Sequence, residues 1–269
     1  MVNDSRELAR QVRRLSLEMV HRAGASHIGS ALSIADIVAV LYGEVMAYDS
    51  SDPASPQRDR FILSKGHACV AVYAVLALRG FFPKKCLEEY GADFSMFMNH
   101  ISHHVPGVEF STGSLGHGLP FAVGKALACR MRGEKWRVYA VLSDGELDEG
   151  SNWEAFMFAA HHHLDRLTAI IDYNRLQSLG SVKDTLEIEP LAKKLHAFGW
   201  CVIEVDGHDH QALVETLSHC DKRKRPLAVI AHTTKGKGVG FMENEVLWHY
   251  RNPSDEELAV ALSELGFDA

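Results

Sequence analysis

From residue 116 onward, apolar and polar positions alternate between runs of helical period and short strand-like runs. The pattern predicts helix to Arg132, strand 136–142, helix 152–163, strand 167–172, helix 190–198, strand 200–205, helix 210–222 and strand 227–232. Helices alternating with strands imply an α/β fold: a doubly wound, mostly parallel sheet with helices on both faces. Upstream, Leu8, Val12, Leu15, Met19 and Val20 share one face of a predicted helix over 6–23. Ser33 is placed to cap a second helix, Ile34–Tyr42, because its hydroxyl can satisfy free N–H groups. A polar loop over 49–58 leads to a strand at Arg60–Leu63, then a helix over His67–Leu78 that stops at Gly80. A tail helix over Ser254–Leu265 opens with a capping box of Ser254 and Glu257. Residues 91–116 keep no period, and an ordered loop of that length is usually functional. Nothing marks an internal boundary, so residues 1–269 read as one domain.

Two strand-like segments end in metal-type ligands. Val138–Leu142 runs into Asp144-Gly145, and Thr168–Ile171 runs into Asp172-Tyr173-Asn174. Asn174 falls 30 positions after Asp144, enough for a turn, a helix and the next strand. In an open parallel sheet, such strand ends meet at one edge, where ligands bind. A carboxylate, a side-chain amide and the Leu176 carbonyl would make half of an octahedral oxygen shell. That suits Mg²⁺ shared with a diphosphate. Asp-Gly alone is a common turn pair; the second strand end at the right separation gives it weight. Gly145 lets the backbone approach an anion, its N–H pointing from a helix start. Glu149 reads either as a first-turn helix acid or as a subunit-interface carboxylate.

Composition narrows the function. Hydrophobic residues make up 46% and charged ones 23%, an ordinary balance for a soluble globular chain. A net charge of −7 argues against nucleic acid, and the basic run Lys222–Arg225 reads as a solvated helix end. No apolar run reaches membrane-spanning length. The five cysteines show no C-x-x-C spacing, and the polar N-terminus resembles no signal peptide, so a cytoplasmic protein with reduced thiols is expected.

Among 16 histidines, most must be structural. His161–His163 ends a predicted helix, where cations are favoured, and His208 and His210 read as a polar loop. His27, His67, His100 and His249 instead sit in small-residue or loop contexts. Residues 107–118, G-V-E-F-S-T-G-S-L-G-H-G, place close glycines before a helix, yet no G-x-G-x-x-G or Walker A motif occurs. K-G-K-G-V-G, at 235–240, reads on its own as a flexible basic loop.

In order along the chain, G-A-S-H-I-G, D-R-F-I-L-S-K-G-H, P-G-V-E-F-S-T-G-S-L-G-H-G, S-D-G-E through D-Y-N, and H-T-T-K-G-K-G followed by W-H resemble the motifs of the transketolase N-terminal, diphosphate-binding domain. The resemblance spans almost the whole chain. It implies thiamine diphosphate and Mg²⁺ as cofactors, with Asp144, Asn174 and the Leu176 carbonyl on the metal. Gly145, His67 and His249 would contact the diphosphate, and the main chain of Gly113, Ser114 and Leu115 would lie against the cofactor rings. His27, His67, His100 and His249 would line the substrate channel as hydrogen-bond donors and acid–base groups; His103 or His104 could stand in for His100. The sequence departs from the family pattern at Ala25-Ser26, Ser114, His117, Ser143 and Tyr250–Pro253.

A full-length transketolase is more than twice this long. The resemblance therefore implies one subunit of a split enzyme. A second chain would carry the pyrimidine-binding domain with the catalytic glutamate, expected as an α2β2 heterotetramer. The implied reaction moves a two-carbon ketol unit from a ketose or its phosphate to an aldose. The alternatives are another thiamine diphosphate subunit, 1-deoxyxylulose-5-phosphate synthase-like or decarboxylating 2-oxo acids, and a non-catalytic subunit of the same fold.

Overall fold

The computed structural model describes residues 4–218 and 224–268. Cys220, the end of the predicted helix 210–222 and the first part of the Lys222–Arg225 run lie outside them. Helices α1 (Ser5–Ala23), α2 (Ile28–Ser33) and α3 (Ala35–Val40) precede β1 (Arg60–Leu63) and α4 (Cys69–Leu78). Then come α5 (Gly118–Met131), β2 (Val138–Ser143), α6 (Gly150–His161), β3 (Leu167–Tyr173), α7 (Val182–Thr185) and α8 (Leu191–Ala197). The chain ends with β4 (Cys201–Asp206), α9 (His210–Ser218), β5 (Leu227–His232) and α10 (Asp255–Glu264). The five strands form one sheet in the order β1-β2-β3-β5-β4, every neighbouring pair parallel.

The strands are apolar on both faces, as a parallel sheet buried between two helix layers requires. Side chains alternate across a strand, and the two cores divide accordingly. Tyr139, Val141, Ile170 and Val229 pack with α1 to α4 and α9 in one core. Ala140, Leu142, Ala169, Ile171 and Ile230 pack with α5, α6 and α8 in the other.

The strand and helix assignments from 116 onward agree with the structure to within about two residues, and β1 and β5 have the predicted bounds. The capping box holds: Ser254 Oγ accepts from Glu257 N at 3.2 Å, and Glu257 Oε2 accepts from Ser254 N at 2.8 Å. Four readings change. The helix predicted over Ile34–Tyr42 is α3 followed by a π-helical turn at Leu41–Val45, while Ile28–Ser33 forms a helix of its own. Ser33 caps nothing; its hydroxyl turns inward to Ser30 O at 3.0 Å and Asp172 Oδ2 at 2.6 Å. The run from His67 begins as a 3₁₀ turn over Gly66–Ala68, with α4 starting at Cys69. His208 and His210 are not a free polar loop but close on the buried carboxylate of Asp36, at 2.6 and 3.0 Å.

Trp200 shows how the α6–α8 core is locked. It is 1% exposed, its ring meets Phe156 edge-on at 5.0 Å, and its indole N–H donates to Phe156 O at 2.8 Å. Trp200→Ala removes the ring and the second hydrogen bond to that helix carbonyl. Urea unfolding should show a loss of about 3–5 kcal/mol with an unchanged m value.

Candidate active site

The carboxyl ends of four adjacent strands deliver chemistry to one edge of the sheet. Ser64 to His67 follow β1, Asp144 follows β2, Asn174 to Ser178 follow β3, and Thr233 to Lys235 follow β5. The start of α2, the turn at Val246–His249 and the loop around His100 and Gly113 face that edge. Between them lies a cavity of about 230 Å³. Ten of the eleven site residues predicted from sequence line it: His27, His67, His100, Gly113, Leu115, Asp144, Gly145, Asn174, Leu176 and His249. Ser114 does not; its side chain faces solvent. Ser30, Lys65, Ser143, Gln177, Ser178 and Lys235 line it as well.

Oxygen donors converge on one side. Asp144 is 1% exposed and accepts from its neighbour Gly145 N at 2.7 Å and from Arg175 N. The Gly145 N–H is thus turned onto the Asp144 carboxylate. Asn174 Nδ2 donates to Asp172 Oδ2 at 3.1 Å, which leaves Oδ1 as the outward end; it accepts from Leu176 N at 3.0 Å. The Leu176 carbonyl accepts from Lys235 Nζ at 3.1 Å. Burial, reinforced by the nearby Asp172 carboxylate, pushes the Asp144 carboxyl up to about 7. Among the described residues no three His, Cys, Asp or Glu side chains gather as a metal site; the oxygen set here is one carboxylate, one amide and one carbonyl.

Behind this edge sits Asp172, 0% exposed at the end of the central strand. It takes an ion pair from Lys65 Nζ and hydrogen bonds from Ser33, Thr233 and Asn174. Burial opposes its charge, yet Lys65 and the hydroxyls hold its carboxyl below the ordinary value. Sequence reading named Asp172 only as part of a strand end and passed over Lys65. The signal was present: a lysine two residues past an apolar strand, facing an aspartate on the next strand but one.

The four histidines meet across the cavity. The His27 ring lies 5.2 Å from that of His67, 5.7 Å from His100 and 4.9 Å from His249. His27 adopts a left-handed backbone at φ 74°, a strained conformation of the sort that functional sites retain. Its N–H donates to His249 O at 2.9 Å, which joins the two histidine segments directly. Lys235 Nζ donates to His249 Nδ1 at 3.1 Å, leaving the proton of that ring on Nε2. Burial first, and then neighbouring positive groups, depresses these rings: His27 to about 4, His249 to about 3, and His67 well below its usual value. Burial also lowers His100. The His103 and His104 rings meet tilted at 4.2 Å on the exposed side of the loop, and His103 bonds Ser111, so His100 is the loop histidine that reaches the cavity.

Known proteins share this fold. Residues 4–269 match the family model described as transketolase, thiamine diphosphate binding domain. The chain belongs to that transketolase family. A subunit of apulose-4-phosphate transketolase from Actinobacillus succinogenes is 42% identical over 254 residues, covering 94% of this chain and 92% of that protein. A 6-deoxy-6-sulfo-D-fructose transketolase subunit of a Clostridium species is 38% identical over 264 residues, covering 97% and 96%. The crystal structure of transketolase from Campylobacter jejuni superimposes with a TM-score of 0.93 at 31% identity; it covers 100% of this chain, which spans 43% of that one.

The departures from the transketolase pattern now have places. Ser143, at the first glycine of G-D-G, lines the cavity, and its hydroxyl accepts from Glu146 N at 3.2 Å. Ser114 and His117 are exposed on the loop before α5. That loop is pinned from below by Glu146, fully buried, which accepts from Gly116 N at 2.9 Å and from Ser64 Oγ. Its close glycines are explained by contact. A Cβ on Gly118 would lie 2.5 Å from Ser64 Cα, and one on Gly66 would lie 2.5 Å from Thr112 O. Glu149 is exposed at the cap of α6 and makes no side-chain cap bond.

The depressed histidines set a pH window. A ring whose folded pKa lies below its unfolded value must take up protons on unfolding, so its contribution is lost as pH falls from about 6.5 towards about 4. NMR titration should find His27 and His249 still neutral at pH 5. Thermal stability should decline through that window, less steeply in His27→Asn than in the native chain.

Proposed function

We propose that this chain is the Mg²⁺- and thiamine diphosphate-binding subunit of a two-chain transketolase. In this reading residues 1–269 form one diphosphate-binding domain. A partner chain brings the pyrimidine-binding domain and its catalytic glutamate, two copies of each chain assemble as α2β2, and the enzyme works in the cytoplasm. The observation that carries the reading is the pairing of Asp144 with Asn174 at adjacent strand ends, opposite four converging histidines. The two-chain assembly is supported by relatives of matching length that are named as transketolase subunits.

The residues fit the group. A buried carboxylate that burial and Asp172 drive towards its protonated form lacks a cation of its own, and three oxygen donors suit a hard ion such as Mg²⁺. Asp144, Asn174 and the Leu176 carbonyl would hold it. His67 and His249 would hold the diphosphate, with Gly145, whose N–H is given to Asp144, allowing its close approach, and the main chain at Gly113, Ser114 and Leu115 would support the rings. Bound thiamine diphosphate supplies the carbanion chemistry that moves a two-carbon unit from a ketose to an aldose. The chain's own part is positioning and proton handling. His27, His67, His100 and His249, kept neutral near pH 7, would offer ring nitrogens to sugar hydroxyls, His249 as a donor through Nε2 because Lys235 holds its Nδ1, and His27 through Nε2 because Ser26 engages its Nδ1. Such oriented donors favour charge that develops on a substrate oxygen.

Calorimetry with Mg²⁺ and thiamine diphosphate, run on this chain with its partner, tests the reading. Asp144→Ala should weaken binding by about 100-fold or more, since changes one shell further out already cost about 10–100-fold. Ketol transfer from a ketose donor should require both chains. Transfer by this chain alone would remove the two-chain part of the proposal, and absence of cofactor binding by the assembled pair would remove the whole.

A further inference from the structure

The D-G-H-D-H segment, residues 206–210, lies outside the cavity, yet it is joined to it through a chain of hydrogen bonds. Asp36 on α3 is buried and accepts four of them. Arg13 Nη1 and Nη2 donate at 3.0 and 2.5 Å, His208 Nδ1 contacts Oδ2 at 2.6 Å, and His210 Nε2 contacts Oδ1 at 3.0 Å. Two of these partners reach onward to one loop. Arg13 Nε donates to Lys237 O at 2.9 Å, and the Thr234 N–H donates to His208 Nε2 at 2.8 Å.

A ring nitrogen that accepts from an amide N–H carries no proton, so the His208 proton must sit on Nδ1, facing Asp36. The carboxylate therefore dictates the tautomer, and the tautomer supplies the acceptor that the loop needs. Gly207 belongs to the same device: a Cβ there would lie 2.4 Å from Thr233 Cγ2, so the turn can press against the loop only without one. The held loop faces the site on both sides of Thr234. Thr233 Oγ1 donates to Asp172, which in turn orients Asn174. Lys235 Nζ reaches Leu176 O, Gln177 O and His249 Nδ1 at 3.1, 3.2 and 3.1 Å.

From this geometry we infer that His208 is a positioning residue: an imidazole fixed by Asp36 that clamps the Thr233–Lys237 loop, and through it sets Asn174, Lys235 and His249. The clamp stands on these contacts alone; its consequence for Mg²⁺ and thiamine diphosphate rests on the proposed function.

Three measurements on the full chain test it. Long-range ¹H–¹⁵N spectra of the native protein should show His208 as the neutral Nδ1–H tautomer; an Nε2–H tautomer overturns the clamp without any variant being made. Asparagine places its amide where Nδ1 was, whereas glutamine reaches the Nε2 position with an oxygen. Hydrogen exchange over residues 233–237 should therefore accelerate about tenfold in His208→Asn, as for the loss of one hydrogen bond of ordinary net strength. In His208→Gln it should stay within about twofold of native by the same measure. Equal exchange in native and His208→Asn, or equal acceleration in both variants, overturns the inference. With the partner chain present, calorimetry should show Mg²⁺–thiamine diphosphate binding weakened about tenfold in His208→Asn and recovered in His208→Gln, the size of an outer-shell effect. If the native pair binds no cofactor, the functional reading fails while the spectra and exchange still judge the clamp. If it binds and His208→Asn binds equally well, the clamp does not serve the site.

Discussion

Everything at the sheet edge is arranged around the neutralisation of Asp172. A carboxylate with no access to water is costly unless it is paired and fully hydrogen-bonded. Asp172 meets that demand with an ammonium, two hydroxyls and an amide from four different parts of the chain. Lys65 brings the end of β1 inward, Ser33 the end of α2, Thr233 the end of β5, and Asn174 the next residues of its own segment. Satisfying one charge thus fixes the relative placement of the elements that line the cavity. Asp144 is the contrast. It is equally buried and close by, but its hydrogen bonds come from backbone N–H groups and Lys65 acts on it only through space, so its charge remains unfavourable. One carboxylate organises the protein and the other is left to want a cation.

The same logic reaches outward to Asp36 and Glu146. Each is buried, each accepts from several segments at once, and each holds a loop that contributes to the cavity. The cavity wall is therefore made of loops, but of loops nailed to the scaffold by internal carboxylates. Flexible connections alone would not keep three imidazoles within about 5–6 Å of the His27 ring.

Much of this was legible in the residues. The alternation of periods gave the strands and helices from 116 onward because a buried parallel sheet leaves long apolar runs that few other structures produce. Asp144 and Asn174 were legible because a polar ligand at the end of an apolar strand has only one edge to occupy. The early helices were harder. In the stretch from Ile28 to Val45 nearly every residue is buried, so no polar face marks where one helix ends, and Ser33 looked like a cap while serving Asp172. The hubs at Asp36 and Glu146 were not legible at all. Asp36 is separated from His208 by 172 residues and Glu146 from Ser64 by 82, and nothing local signals such a pairing. His208 illustrates the error this causes: a D-G-H turn reads as polar and exposed unless its distant partner is known.

These hubs also explain why the histidines act as a set. Burial and two nearby lysines keep their rings neutral, so the cavity offers nitrogen donors and acceptors without adding positive charge beside the oxygen ligands. Protonated imidazoles there would compete with a cation at Asp144 for the same field. With Lys65 consumed by Asp172 and Lys235 turned onto two carbonyls and His249, the fixed positive charge is already committed. The edge of the sheet is thereby left with an unmatched acid facing neutral, oriented imidazoles. Under the proposed function, that division would suit a metal-bridged anion on one side and polar, uncharged hydroxyls on the other.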